Sequence, residues 1–340
     1  MITPFRYAAM LAALLAAGAA LAQGKTQLLV YTALETDQLK AYEQGFTAKN
    51  PDIEIRWVRD STGVITAKLL AEKNNSQADV VMGVAASSLA LLNSQGMLIP
   101  YAPSNLKAIS AQFRDPKNPP AWFGMDVWGA TVCFNTVEAK KRNISKPESW
   151  KDLTKPEFKG QIVMPNPASS GTGFFDVTAW LSLFGEKGGW EYMDRLHENI
   201  AQYTHSGSKP CNQAAAGEFV VGISFEYRAN TNKAKGAPID LVFPKEGLGW
   251  DLEAFAIHKG TKKLAAAQKL ADWASSRDAM VLYGKNFAIT AMPGVAQPLP
   301  NVPADYEKRL VKMNFTWAAE NRERILAEWN KRYNAKTEKK

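Results

Sequence analysis

Gln27-Leu28-Leu29-Val30-Tyr31-Thr32 is a short apolar, partly β-branched run, and from Glu35 to Lys49 the residues Leu39, Tyr42 and Phe46 recur at helical spacing. The two stretches read as a strand followed by a helix. Asn50-Pro51-Asp52 ends that helix, Ile53 to Val58 alternates as a second strand, and Asp60-Ser61-Thr62-Gly63 leads into a helix over Val64 to Lys73. Ala78 to Gly83 reads as a buried strand, Ala86-Ser87-Ser88 as a cap and Leu89 to Asn93 as a helix. Three β-α units in succession predict a parallel sheet. Such sheets collect ligands outside the carboxyl ends of their strands, where the loops meet helix N-termini.

A second set follows a loop rich in proline (Pro100, Pro103, Pro116, Pro119, Pro120). Strands are expected at Met125 to Asn135, Gly160 to Met164, Val220 to Phe225 and Ile239 to Phe243. Phe174 to Phe184 reads as a helix ending at Gly185, and Lys262 to Ser275 as one capped by Thr261. Gly247 to Ile257 is an extended return. Two βα sets joined by extended stretches predict an α/β chain of two lobes with a cleft. The crossings fall near Asp126 to Trp128 and Gly249 to Glu253, natural hinges for closure. The first lobe is then 23–125 with about 252–290, and the second 126–251 with about 291–340, on the rule that a domain needs its own core.

Upstream, Arg6 precedes an apolar run from Tyr7 to Ala19 that ends in Ala20-Leu21-Ala22, the pattern of a secretory leader cleaved after Ala22. The run is shorter than the roughly 20 residues a membrane span needs. At 46% hydrophobic and 10% aromatic residues, the rest can bury the cores of two domains. The net charge of +8 comes from scattered Lys and Arg, with one basic cluster from Lys331-Arg332 to Lys339-Lys340. Without a basic stripe interleaved with aromatics, nucleic acid is not an expected partner. Export and a single pair of cysteines predict a Cys133–Cys211 disulfide, the alternative being two buried free thiols.

Catalytic signatures are missing. His-Glu-x-x-His, Gly-x-Ser-x-Gly, Walker and Gly-x-Gly-x-x-Gly patterns are all absent, and His197, His205 and His258 form no ligand-spaced pair. No enzyme, metal or cofactor is expected. Hydroxyl clusters instead precede four apparent helices: Ser61-Thr62-Gly63, Ala86-Ser87-Ser88, Ser169-Ser170-Gly171-Thr172-Gly173 and Ser206-Gly207-Ser208. Any one of them suits ordinary N-capping. Four on strand-to-helix loops point toward one cleft, where free N–H groups and the helix dipole hold an oxyanion. The same loops carry Tyr31, Thr32, Glu35, Asp126, Trp128, Glu226, Tyr227, Trp250, Asp251 and Glu253. Carboxylates with aromatic walls suit an ammonium group. Together they fit a small zwitterion, with Glu35 expected to hold the amine.

Leu29-Val-Tyr-Thr-Ala-Leu-Glu35, Asp60-Ser-Thr-Gly-Val64, Phe134-Asn-Thr136, Ser149-Trp-Lys-Asp-Leu-Thr-Lys-Pro156, Phe158-Lys-Gly-Gln-Ile162 and Asn166-Pro-Ala-Ser-Ser-Gly-Thr172 carry a family resemblance over nearly the whole mature chain. The chain resembles the substrate-binding proteins of ABC importers, in particular the branch assigned to 2-aminoethylphosphonate. The resemblance implies a two-lobed periplasmic-binding-protein fold of type II-like topology, a periplasmic monomer, closure on a phosphonate zwitterion, and an ABC-transporter permease in the inner membrane as partner. The branch is similar to ferric-ion receptors, which place two adjacent tyrosines at a lobe-two strand end. Ser224-Phe225-Glu226-Tyr227-Arg228 offers one there, which makes a ferric-ion or other small-anion receptor the alternative. A secreted hydrolase using Glu226 and Glu253 is a third reading.

Overall fold

A computed structural model describes residues 24–339, so the expected leader lies outside the described residues. The first half contains β1 (Thr26–Thr32), α1 (Thr36–Thr47), β2 (Ile53–Arg59), α2 (Thr62–Ala71), β3 (Val80–Ala85), α3 (Ala86–Ser94), the two-residue β4 (Leu98–Ile99), the long β5 (Phe123–Asn135) and α4 (Thr136–Arg142). It continues with β6 (Ile162–Pro165), α5 (Gly171–Asn199), β7 (Ile200–Thr204), α6 (Lys209–Ala216), β8 (Val221–Phe225), α7 (Glu226–Ala234), β9 (Ile239–Val242) and β10 (Trp250–His258). Four helices close the chain: α8 (Leu264–Ala274), α9 (Arg277–Tyr283), α10 (Tyr306–Arg309) and α11 (Phe315–Tyr333).

The three β-α units fold as read. β1 pairs in parallel with β2 on one side and β3 on the other, Val30 standing opposite Trp57 and Val80. Leu28 and Val30 are fully buried, as strands covered on both faces require. The sheet order is β2-β1-β3-β10-β5-β8-β6-β7, so β10 lies between β3 and β5 and runs antiparallel to both. All 13 residues of β5 are buried because its two halves serve different neighbours. Phe123 to Gly129 pairs with β10, and Ala130 to Phe134 pairs with β8. The core follows that division. One cluster joins Leu28 to Val127 with Leu252 to Val295, and another joins Trp128 to Leu248 with Phe287 to Tyr333.

Cys133 on β5 and Cys211 on α6 are bridged, Cα to Cα 5.4 Å, inside a small apolar cluster with Ala214, Ala229 and Ile239. Several boundaries differ from expectation. The Phe174 helix starts at Gly171, capped by Ser170, and Gly185 is a kink within it at φ 73°, not its end. Thr261 does not cap α8: its hydroxyl donates to buried Asp79 (2.8 Å) and accepts the Lys263 N–H. The basic C-terminal cluster is partly helical, with Arg332 bonded to Glu328 (2.6 Å) and Asp194 (2.9 Å). No helix among the described residues is long and apolar enough to cross a membrane.

Candidate ligand-binding cleft

The carboxyl ends of β1, β2 and β3 point the same way, and the segments that leave them supply Ala33, Glu35, Arg59, Ser61, Thr62 and Gly83 to one cavity. From the other side come Trp128, Ser170, Gly171, Thr172, Gly207 and Phe225, and Glu253 lies at the strand crossing. The cavity measures about 430 Å³ including its mouth.

The N-termini of α2 and α5 meet across this space. The Gly63 N–H donates to the Ser169 carbonyl at 2.9 Å, a main-chain bond between the two core regions. A Cβ on Gly171 would stand 2.8 Å from the Thr62 hydroxyl, so only glycine permits the approach. Ser61 caps α2 by position but makes no side-chain capping bond, which leaves its hydroxyl at the cavity wall. Ser170 accepts the Gly173 N–H at 3.4 Å, and Trp128 donates its indole N–H to Thr172 at 3.4 Å. Unpaired N–H groups and hydroxyls from two opposed helix starts are oxyanion chemistry.

Charge is arranged differently from expectation. Glu35 is held by two guanidinium groups, Arg59 from β2 (3.4 Å) and Arg228 from α7 (2.8 Å), with Asp37 also 3.5 Å from Arg228. Its charge is thus spent inside the protein. Arg59, which also donates its Nε–H to the Leu34 carbonyl (2.9 Å), lines the cavity. Glu253, the other acid on the wall, stands opposite Asp126 in the strand pairing. Burial first, then the charges of Glu35 and Glu226, pushes the Glu253 carboxyl well above the usual carboxylate range. Asp126 is pushed up by burial and by Glu253 and Glu226. Both shifts favour the neutral forms of this carboxyl pair.

Glu35, Ser61, Thr62, Trp128, Ser170, Gly171, Thr172 and Glu253 therefore gather around one cavity. The remaining candidates stand outside it. Tyr31 donates to Glu72 (2.9 Å), and Thr32 accepts the Leu34 N–H (3.1 Å). Ser87 offers its N–H to Asp251 (3.4 Å), and Ser169 meets the facing helix through its carbonyl. Ser206 bonds to Ser208 (3.0 Å), while its neighbour Gly207 takes the place on the wall. Asp126 lies fully buried behind Glu253. Glu226 accepts the Gly129 N–H (2.8 Å), and Tyr227 packs against Phe287 and Phe225. Sequence reasoning did not single out Arg59, Arg228 or Phe225, and read Gly207 only as part of the Ser206-Gly207-Ser208 cluster. The signal for Arg59 was its place at the end of β2, immediately before the Asp60-Ser61-Thr62 loop. Among the described residues no group of three or more His, Cys, Asp or Glu is arranged to hold a metal ion.

Residues 75–314 match the family model described as bacterial extracellular solute-binding protein. The chain belongs to that family. This solute-binding protein is similar to the periplasmic binding protein AfuA of Actinobacillus pleuropneumoniae, solved with exogenous fructose-6-phosphate bound. Identity is 30%, the TM-score is 0.85, and the match covers 92% of this chain and 99% of that one. A probable ABC transporter periplasmic-binding protein of Sinorhizobium fredii is 28% identical over 78% of this chain and 74% of its own. The Fe(3+)-binding periplasmic protein of Serratia marcescens is 26% identical over 65% and 63%. These relatives are periplasmic binding proteins, one of them of a probable ABC transporter, and the Actinobacillus protein shares the fold.

Proposed function

We propose that this solute-binding protein captures a small organophosphorus anion in the periplasm and delivers it to an ABC permease in the inner membrane. The oxyanion sits between the N-termini of α2 and α5, held by Ser61, Thr62, Ser170 and Thr172 and by Arg59. The two lobes, divided as the sequence analysis expects, turn about β5 and β10 to close on it. Support for the first two crossings comes from the two core clusters, which change over at Val127/Trp128 and Leu248/Leu252, whereas near 290 they interleave, with Phe287 in the second cluster and Ala291, Met292 and Val295 in the first.

The observation that carries the reading is the convergence of two helix starts and one guanidinium on a small cavity. The far end of the ligand faces Glu253 and Trp128. Glu35 is already neutralised by arginine, and a Glu253 carboxyl pushed toward its neutral form favours a hydroxyl over an ammonium group. A phosphate ester with a hydroxylated body is accordingly the first choice, in keeping with the fructose-6-phosphate bound by the Actinobacillus relative. 2-Aminoethylphosphonate is the second, and needs Glu253 ionised. Calorimetric titration with fructose-6-phosphate, 2-aminoethylphosphonate, inorganic phosphate and ferric citrate decides among them. Binding of ferric ion with no heat from any phosphorus compound would sink the proposal.

A further inference from the structure

Outside the cleft, one buried cation lacks a partner of its own. Arg322 on α11 is 8% exposed. Its guanidinium lies 4.4 Å above the ring of Phe174. The carboxylate felt there is Asp251, whose Oδ1 is already bonded by the N–H groups of Ser87 and Leu252. No hydrogen bond or ion pair to Arg322 is found among the described residues. A guanidinium carries five donors, and those of Arg322 meet solvent rather than a protein partner. Those donors open into a groove of about 1230 Å³ including the solvent at its mouth, against 430 Å³ for the cleft. Thr66, Leu70 and Leu91 wall it on the α2 and α3 side, and Ala319 and Leu326 on the α11 side. The Thr66 hydroxyl is taken up by Thr62 and Ser88, and Arg322 is the one cation in the groove lining. Exposed Glu320 and Glu323 stand at the rim.

We propose that this groove is a second binding site, for a small aliphatic carboxylate, with Arg322 taking the carboxylate and the leucines taking the chain. A single cation in apolar walls calls for one negative charge, and the two rim glutamates repel polyanions. The groove floor includes Gly63 and Ala168, beside the Gly63–Ser169 bond that joins the two core regions. Its walls come from both regions, since α2 and α3 pack in the first cluster and α11 in the second. Filling it therefore favours the closed arrangement and, by reciprocity, tightens the cleft for its own solute. The site itself does not depend on what the cleft binds; only the tightening does.

The test uses n-hexanoate as probe, with n-hexanol as the uncharged control. Calorimetry on the mature protein should show saturable one-to-one binding of hexanoate in the millimolar range and none of hexanol. Arg322→Met should weaken hexanoate at least tenfold. Should that variant fail to fold, Ala67→Trp, which fills the groove from its exposed wall, should have the same effect. Arg59→Ala, which alters only the cleft, should leave hexanoate binding unchanged. Absence of binding at tens of millimolar, unchanged binding in Arg322→Met and Ala67→Trp, or loss of binding in Arg59→Ala would each overturn the proposal.

Discussion

Replacing Arg228 with Ala should weaken every ligand of the cleft by the same factor. Arg228 is on α7, with the second core region, and Glu35 starts α1, with the first, so on the proposed closure their 2.8 Å contact is made only while the cleft is shut. The two side chains are 10% and 15% exposed, which leaves little room for screening by salt. A hydrogen bond between charged groups contributes about 1.5–3 kcal/mol. Orphaning a buried charge costs more, about 3–5 kcal/mol, but Glu35 keeps Arg59 at 3.4 Å, so the lower range applies. That range corresponds to about 10- to 150-fold in the ratio of closed to open protein. Where the closed form is the minor species without ligand, the whole factor passes to the apparent Kd. Arg228 does not line the cavity, so fructose-6-phosphate, 2-aminoethylphosphonate and inorganic phosphate should suffer alike, whichever of them bind. Arg228→Lys, which keeps the charge, should recover part of the loss. Calorimetry reads the affinities, and small-angle scattering should find a larger radius of gyration for the unliganded variant. An affinity within twofold of the parent, or a loss confined to one ligand, would refute the reasoning.

Thr172→Ala removes a neutral donor from the wall and should cost about 1–2 kcal/mol of ligand binding by calorimetry, a smaller loss than Arg59→Ala. Reducing the Cys133–Cys211 bridge, which spans 78 positions of sequence, should lower stability by about 4 kcal/mol through loop-closure entropy, read from denaturant midpoints; titration of the unfolded, unreduced chain should find no free thiol. Burial raises Glu226 to about 8 and Asp251 to about 7, and holds Asp126, Glu253 and Asp176 well above their ordinary values. Folded values above unfolded ones mean that the native state binds protons more tightly, so stability is full below about pH 4 as far as these groups are concerned and falls as pH rises toward 8. The melting temperature should be higher at pH 5 than at pH 8, and Glu226→Gln should flatten that slope.

The fold was legible where one periodicity runs unbroken. Gln27 to Thr32, Ile53 to Val58 and Ala78 to Gly83 are apolar on both faces or alternate cleanly, and each is followed at once by a helical repeat. Boundaries slipped where tertiary contacts override local chemistry: Thr261 is drawn to Asp79 and leaves α8 without its expected cap. The C-terminal helix was masked by the charge of its last turn, although Ala318, Arg322, Ile325, Trp329 and Tyr333 recur at helical spacing along its buried face. In the cleft, hydroxyls were legible because a Ser-Thr-Gly cluster before a helix has few other uses. The acids were harder to read, because sequence alone does not tell a carboxylate that faces a ligand from one paired with arginine. Glu35 has the second fate through Arg228, 193 positions away.

The placing of β10 bears on how the chain is made and exported. This strand sits between β3 and β5, which do not touch each other, yet it begins at Trp250, 115 positions after β5 ends at Asn135. At about 5–20 residues per second, a ribosome needs roughly 6–23 seconds to supply it. For that interval the first β-α units are a sheet without its central seam, and the amino-terminal half cannot reach its final stability. A nascent chain so built stays unfinished during the time in which the leader expected at residues 1–22 would be recruited to an export machinery that threads only loose polypeptide. Bringing β10 forward by circular permutation should therefore hasten folding and slow secretion.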